Sequence, residues 1–180
     1  MRPYNNPMPK TLLDFDLPDS AVTEGLGAAL ARAFTGAGVG ARGAVLYLRG
    51  ELGSGKTTCA RSLLHALGVT ATVRSPTYTL VDTYTVGDLN CVHVDLYRLR
   101  SAAEVEELGL RDLTGPGYLM LIEWPEKGGD AVPHADVDLQ LQYAGESRVA
   151  KLHAVSAVGD AWLAKLVLDT SLVPYVSNLT

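Results

Sequence analysis

Apolar residues along this chain recur with two periods, and each period predicts one type of element. Stretches with apolar residues three and four positions apart predict four helices. The first is expected to begin at Asp19 or Ser20, and the second to follow Thr57 and end at Gly68. The third is expected to cover 102–108 and the fourth about 160–168. Asp19 or Ser20 can accept hydrogen bonds from the free N–H groups of a first helical turn. A capping box of Ser101 and Glu104 precedes the third helix.

Shorter stretches predict strands, because apolar and polar residues alternate in them or because they are apolar throughout. The expected strands are 11–15, 45–48, 118–122 and two hairpins that turn at Gly87-Asp88 and Gly145-Glu146. The run from Tyr118 to Ile122 is apolar at every position, which is typical of a strand buried at the centre of a sheet. Antiparallel hairpins in a chain that also has a strand–helix unit indicate an α/β fold with a mixed sheet.

Length and composition favour one domain. A chain of 180 residues is long enough to bury about 70% of the surface that it exposes when unfolded. We expect residues 1–10, which are rich in Pro and Asn, to be disordered, and residues 11–168 to form a single domain. The mildly apolar residues 169–180 are expected to form a loosely docked tail.

Charge, cysteine content and hydropathy argue against several classes of protein. The formal net charge is −5, which argues against a chain-wide electrostatic grip on nucleic acid. Cys59 and Cys91 lie far apart and lack metal-ligand spacing, so we expect neither a disulfide framework nor a zinc site. No apolar run approaches the ~20 residues that span a bilayer, and the first residues lack the apolar core of a signal peptide. We therefore expect a cytoplasmic protein that does not bind membranes.

The strongest chemical signal follows the strand expected at 45–48. Gly50, Gly55, Lys56 and Thr57 match the phosphate-binding loop, which has a glycine, four free positions, a glycine, a lysine and a serine or threonine. Glycines let backbone N–H groups converge on a phosphate chain, and a Cβ there would crowd the ligand. We expect Lys56 to bind the β- and γ-phosphates of a nucleotide and Thr57 to bind Mg²⁺.

Two carboxylates are candidates for the chemistry of hydrolysis. Glu123 ends the apolar run, where phosphate-loop proteins place a group on or near Mg²⁺, although the usual residue is Asp. The alternative is that Glu123 is simply the first solvated residue after a strand. Asp95 is flanked by apolar neighbours, so it points either into a site or into water. One acid would fix the metal while the other would hold or deprotonate the attacking water.

ATP is the favoured nucleotide. A guanine-specific protein would be expected to carry an Asn/Thr-Lys-x-Asp motif, and the sequence has none. A small-molecule kinase would be expected to have a longer chain with an arginine-rich lid, whereas Arg98, Arg100 and Arg111 are scattered. Two alternatives to an ATPase stay open at this point. One is a phosphotransferase that acts on a small metabolite, and the other is a nucleotide-sensing binding module without useful turnover.

Five sequence blocks resemble the TsaE family, the small ATPase of the bacterial machinery that makes N6-threonylcarbamoyladenosine (t6A) in tRNA. They occur in family order over about residues 17–165. The blocks are 50–58 (GELGSGKTT), 75–81 (SPTYTLV), 93–98 (HVDLYR), 106–110 (EELGL) and 121–126 (LIEWPE). The resemblance implies a three-layer α/β/α fold, weak intrinsic ATPase activity, and a complex with TsaB and TsaD in which TsaD performs the carbamoyl transfer.

The resemblance also implies roles for individual residues. Thr57 and Glu123 match the Mg²⁺ ligands of the family, and Asp95 matches its catalytically important aspartate. The residues that match its phosphate cradle are Gly53, Ser54, Gly55, Lys56, Thr57 and Thr58. The residues that match a switch-like segment beside the γ-phosphate are Ser75, Pro76, Thr77 and Tyr78. We expect Asp19 to accept from the adenine amino group and Arg148 to close over the nucleotide.

The acidic charge balance agrees with a family that engages tRNA through partner proteins. We therefore expect ATP and ADP to bind directly to this chain and tRNA to be reached only through the partners. The isolated chain is expected not to bind tRNA tightly.

Overall fold

The computed structural model describes residues 11–179, in which eight strands form one sheet with four α-helices packed on it. The strands are β1 (Leu12–Leu17), β2 (Ala44–Arg49), β3 (Val81–Val86), β4 (Leu89–Asp95), β5 (Tyr118–Glu123), β6 (Val137–Ala144), β7 (Ser147–Ala154) and β8 (Val176–Leu179). The helices are α1 (Ser20–Ala37), α2 (Lys56–Leu67), α3 (Ala102–Glu106) and α4 (Ala157–Leu166). Within this range no helix is both long and apolar enough to cross a membrane. The disorder expected for residues 1–10 lies outside the described residues.

The sheet is mixed, as predicted, and its strand order is β3-β4-β5-β2-β6-β7-β1-β8. β2 runs parallel to β5 and β6, and β4 runs parallel to β5. The pairs β3–β4, β6–β7, β7–β1 and β1–β8 are antiparallel. Both predicted hairpins are therefore confirmed. The apolar strand β5 lies between β4 and β2, so its predicted central position is confirmed too.

Side chains of the central strands alternate between two apolar cores, one on each face of the sheet. The larger core lies beneath α1, α2 and α4, and it receives Cys91 from β4 and Leu121 from β5. The smaller core lies beneath α3 and several 3-10 turns, and it receives Val92 and Met120. Glu123 follows the alternation of Leu121, so its side chain is on the face that α2 covers.

Capping side chains fix the starts of α1 and α4, as the predicted capping box at Ser101 does for α3. Oδ1 of Asp19 accepts from the backbone N–H of Val22 at 2.9 Å, which confirms the predicted start of α1. The last helix begins at Ala157 rather than near Asp160, because Ser156 caps it. The Ser156 hydroxyl oxygen accepts from two first-turn amides at 3.1 Å each.

Part of the segment expected to be a loosely docked tail lies along the edge of the sheet. Leu172 is only 2% exposed, and β8 pairs with β1 along the edge of the sheet. Asp169 accepts from Nε of Arg32 at 2.8 Å, and this contact holds the pKa of Asp169 below its ordinary value. Because β1 would otherwise present unpaired backbone groups, β8 covers a strand edge.

Both cysteines are free thiols that the larger core buries completely. Burial raises the pKa of Cys91 from 9.0 to about 11. Burial, together with the negative charge of Glu123, raises the pKa of Cys59 from 9.0 to about 12. Neither thiol is therefore activated as a nucleophile at neutral pH.

The raised pKa of Cys91 predicts that stability falls at alkaline pH. The native thiol holds its proton up to about pH 11, whereas the unfolded thiol releases its proton above 9.0. The native state binds more protons in this window, so the free energy of unfolding falls by ~1.4 kcal/mol per pH unit for this group. Urea unfolding between about pH 8 and about pH 11 should show a shallower alkaline loss in Cys91→Ala than in wild type. Equal slopes would contradict this expectation.

Candidate nucleotide-binding site

The candidate site lies where the carboxyl ends of three strands meet. The phosphate-binding loop joins β2 to α2, and β2 pairs with β5. Register places Leu48 of β2 and Asp95 of β4 on either side of Glu123 in β5. The loop, the two candidate carboxylates and the N-terminus of α2 are thus brought to one edge of the sheet, where open α/β sheets bind ligands.

Two glycines allow the backbone of the loop to turn tightly. Gly50 has φ 135° and Gly55 has φ 107°, both in the region that disfavours other residues. A Cβ at Gly50 would lie 2.2 Å from the carbonyl oxygen of Leu141 on the neighbouring strand. Gly55 is the N-cap of α2 and offers no side chain to the first-turn amides. Those N–H groups therefore stay available to an anion at the start of the helix.

The ammonium group of Lys56 lies inside the loop. Its Nζ donates to the carbonyl oxygens of Gly50 and Glu51, both at 2.8 Å, and the residue is 4% exposed. Nζ also sits 3.9 Å from the ring centroid of Trp124. Burial lowers the pKa of Lys56, and the carboxylates of Glu123 and other acids nearby oppose that shift. Phosphate oxygens that bind Lys56 would compete with the two loop carbonyls.

Glu123 contacts Thr57 across the mouth of the loop. The Thr57 hydroxyl lies 2.9 Å from Oε1 and 3.0 Å from Oε2 of Glu123. Oε1 also lies 2.9 Å from Nε2 of His93. Glu123 is 2% exposed, so it is not the solvated residue of the alternative interpretation. The structure thus brings the two predicted metal ligands together.

Asp95 points into the same site, where hydroxyl groups surround it. Oδ2 accepts from the hydroxyls of Ser75 and Thr77, the latter at 2.9 Å, and Oδ1 accepts from the backbone N–H of Tyr97 at 2.9 Å. Asp95 is 3% exposed, which decides between the two orientations that the sequence allowed. Two members of the predicted switch-like segment therefore form hydrogen bonds with the predicted catalytic aspartate.

The rest of the switch-like segment forms a turn beside the site. Pro76 is buried, and its carbonyl oxygen accepts from the N–H of Leu80 at 2.6 Å. Leu80 has φ 65°, an uncommon conformation for a residue with a Cβ. Tyr78 is 84% exposed, and the guanidinium of Arg98 lies 4.3 Å from its ring centroid. Backbone strain at such a position is typical of functional sites.

The two other predicted nucleotide contacts, Arg148 and Asp19, belong to β7 and to the N-cap of α1. Nη2 of Arg148 donates to the carbonyl oxygen of Gly53 at 3.4 Å, so this arginine reaches the loop from β7. Asp19 uses one carboxylate oxygen as the cap of α1. Thr23, in the first turn of the same helix, would be 3.2 Å from a Cβ at Gly55. The adenine contact of Asp19 stays a prediction.

A polar cavity of about 290 Å³ opens in front of the loop. Its walls include Lys56, Thr57, Ser75, Asp95 and Glu123, which groups the ammonium, hydroxyl and carboxylate side chains described above. A larger cavity of about 690 Å³ lies at the amino ends of the strands and is mainly apolar. The smaller cavity is the candidate site, because the walls of the larger one contain none of these five residues.

Sequence reasoning assigned no role to three residues that the structure places at the site. His93 contacts Glu123, Trp124 lies against Lys56, and Tyr143 donates to the carbonyl oxygen of Leu52 at 3.1 Å. One signal was available for His93, since it precedes Asp95 by two positions and so shares its face of β4. The position of Trp124 depends on its φ of 60°, which no sequence pattern indicated.

Three known proteins are similar to this chain in sequence or in structure. The TsaE protein for tRNA threonylcarbamoyladenosine biosynthesis of Haemophilus influenzae is 41% identical over 115 residues, which cover 64% of this chain and 73% of that protein. Its counterpart from Synechocystis is 35% identical over 124 residues, which cover 67% of this chain and 74% of that protein. The crystal structure of Bacillus subtilis YdiB matches with a TM-score of 0.70 at 25% identity, over 88% of this chain and 97% of that one.

A family model also matches most of this chain. The model of the threonylcarbamoyl adenosine biosynthesis protein TsaE matches residues 17–151, from the end of β1 to the middle of β7. This range includes the loop, the switch-like segment and both carboxylates. The predicted α/β fold and the predicted family are both confirmed, and the chain belongs to the TsaE family.

Proposed function

We propose that this chain is an ATP-binding protein with weak ATPase activity that is required for t6A formation in tRNA. One observation carries the proposal. The Thr57 hydroxyl and the Glu123 carboxylate meet at 2.9 Å at the mouth of a phosphate-binding loop. Membership of the TsaE family and the names of its relatives support the role in t6A biosynthesis.

The donor atoms at this position suit Mg²⁺. Thr57 and Glu123 offer hydroxyl and carboxylate oxygens, which are the hard ligands that Mg²⁺ prefers. Among residues 11–179 there is no group of three or more His, Cys, Asp or Glu side chains that could hold a metal alone. A site with few protein ligands fits Mg²⁺, which keeps several waters and takes the rest of its ligands from phosphates. When bound, Mg²⁺ would neutralise charge on the phosphate oxygens.

The loop residues would hold the triphosphate. Free N–H groups at the start of α2 would donate to phosphate oxygens, and Lys56 would exchange its two carbonyl contacts for phosphate contacts. The cavity that contains Lys56 and Thr57 lies directly in front of these donors. Charge-assisted hydrogen bonds of this kind strengthen as negative charge develops during hydrolysis.

We assign the attacking water to Asp95 and not to Glu123. The partners of Glu123 are Thr57 in α2 and His93 in β4. The hydroxyls that donate to Asp95 belong instead to the switch-like segment. A γ-phosphate that draws Ser75 or Thr77 away would free Oδ2 of Asp95 to accept from a water. The movement of that segment would then couple phosphate binding to the orientation of the nucleophile.

The proposed partners are TsaB and TsaD, through which the chain would act on tRNA. The net charge of −5 supports this arrangement, because direct binding of tRNA depends on clustered Lys and Arg. We therefore expect the isolated chain to bind tRNA only weakly. Nanomolar binding at physiological salt would contradict this part of the proposal.

An ATPase assay of the purified chain, alone and with TsaB and TsaD, tests the proposal. We expect slow phosphate release by the chain alone and a stimulation of at least about tenfold by the partners, since completion of the site would lower the barrier by ~1.4 kcal/mol or more. ADP production that needs a small metabolite and no protein partner would indicate a phosphotransferase instead. ATP binding without phosphate release, even with both partners, would indicate a nucleotide-sensing module.

A further inference from the structure

We propose that His93 is a positioning residue that orients the Glu123 carboxylate for Mg²⁺. The inference rests on the proposed function, because Glu123 is the proposed metal ligand. Nε2 of His93 lies 2.9 Å from Oε1 of Glu123, and both residues are nearly inaccessible, at 0% and 2% exposed. Histidine in this role acts through Glu123 and touches neither nucleotide nor water.

The sheet itself brings the two side chains together. His93 and Asp95 are two positions apart on β4 and therefore point to the face that α2 covers. Glu123 is the register partner of Asp95 on the parallel strand β5. His93 is one pleat behind that pair, so it approaches Glu123 from the core side while Thr57 approaches from the loop side. Glu123 is held between the two.

The surroundings of the imidazole select one tautomer. Nδ1 of His93 is buried and has no hydrogen-bond partner among residues 11–179. A proton on Nδ1 would leave a buried donor unsatisfied and would set the bare Nε2 against a carboxylate oxygen of Glu123. A proton on Nε2 instead makes the observed contact a hydrogen bond to a carboxylate. We therefore infer that Nε2–H donates to Glu123.

A glutamate at this position needs such an anchor more than an aspartate would. Its side chain has one more rotatable bond than the aspartate usually found at the end of this strand, so more conformational freedom must be lost to fix the carboxylate. The hydrogen bond from His93 to Oε1 limits that freedom before any metal binds. Partners that orient a metal ligand in this way contribute about 10–100-fold to metal affinity.

Three substitutions at His93 separate this role from simple packing. His93→Leu fills the site without a donor, and His93→Asn places its amide near the position of Nδ1. His93→Gln can place an N–H near the position of Nε2. We expect the Mg²⁺ concentration that half-saturates binding of a non-hydrolysable ATP analogue to rise about tenfold in the Leu and Asn variants. The Gln variant is expected to stay within about threefold of wild type.

The readout is calorimetric binding and not turnover, with Cys91→Ala as the matched control. Cys91 is fully buried on the same face of β4, one pleat further from the site, and it tests whether a packing defect alone changes the Mg²⁺ requirement. We expect it not to. Binding of the analogue in EDTA should be the same in wild type and in every folded variant.

The possible results distinguish this inference from the proposed function. Wild-type binding that does not depend on Mg²⁺ would overturn the magnesium site and the role of His93 together. Wild-type binding that depends on Mg²⁺, with the same requirement in the Leu and Gln variants, would overturn the role of His93 alone. Nitrogen-15 spectra of the wild-type protein show which nitrogen of His93 carries the proton, and they test the inference even if the variants do not fold. A proton on Nε2 supports the inference, and a proton on Nδ1 alone overturns it.

Discussion

Lys56→Ala is expected to abolish measurable ATP binding. The substitution removes a buried ammonium group whose two carbonyl contacts would be replaced by phosphate contacts in the complex. Each hydrogen bond from a charged donor is worth ~1.5–3 kcal/mol, so the loss of two corresponds to roughly 100-fold or more in affinity. ATP titration followed by calorimetry measures this change.

The same substitution is expected to leave the fold intact. Lys56 contacts the loop and the ring of Trp124, and it is not a member of either apolar core. Burial lowers its pKa, so the native state already disfavours the charge that alanine removes. Circular dichroism should therefore show an unchanged spectrum and a thermal midpoint within a few degrees of wild type.

Lys165→Ala is the matched control for Lys56→Ala. Lys165 is an exposed lysine near the end of α4, on an element that contributes nothing to the cavity in front of the loop. Its removal changes the net charge by the same amount and should leave ATP affinity unchanged. Retained binding in Lys56→Ala, or equal loss in both variants, would contradict the assignment of the loop as the phosphate site.

Local sequence signals were enough to predict the centre of the site. The strand, the glycine-rich turn and the helix after it are contiguous in the chain, so spacing alone placed Lys56 and Thr57. Glu123 was predictable because an apolar run ends there, and a parallel strand presents its carboxyl end to the ligand. Such inferences need no knowledge of which strands are neighbours.

The contacts that sequence reasoning missed depend on which strands are neighbours. The bond between His93 and Glu123 requires β4 to lie beside β5 in one particular register, and thirty positions separate the two residues in the chain. The pairing of β8 with β1 joins opposite ends of the chain, and the short, mildly apolar tail gave no sign of it. Trp124 reaches Lys56 only because its backbone adopts a left-handed conformation.

Non-local geometry also decided between interpretations that the sequence left open. Asp95 had two possible orientations, and the alternation of β4 places it on the same face as His93 and beside Glu123. The hydroxyls of Ser75 and Thr77 then reach it from a segment about twenty positions earlier. A sequence pattern can indicate that a strand has two faces, but only the packed sheet determines which of them carries the site.

Glu123→Gln is expected to reduce ATP turnover far more than ATP binding. The amide is nearly isosteric with the carboxylate, and its carbonyl oxygen can still accept from Nε2 of His93. The substitution removes the negative charge proposed to hold Mg²⁺ beside Thr57. Because the metal neutralises charge that develops in the transition state, the loss should appear in kcat, by about 100-fold or more. At a Mg²⁺ concentration that saturates both proteins, affinity for ATP should change by only a few fold.

A second acidic residue provides the control for Glu123→Gln. The charge of Glu126 also acts on Lys56. However, Glu126 is paired with Arg49 at 3.1 Å, and its side chain is 45% exposed. Glu126→Gln therefore removes a comparable charge close to the site without touching Thr57, and its turnover should stay within about twofold of wild type, since exposed ion pairs contribute little. Steady-state turnover and calorimetric affinity, measured on both variants, separate the two effects. Equal losses of turnover and affinity in Glu123→Gln would mean that Glu123 only maintains the structure around the loop, and the magnesium site would then have to be sought elsewhere.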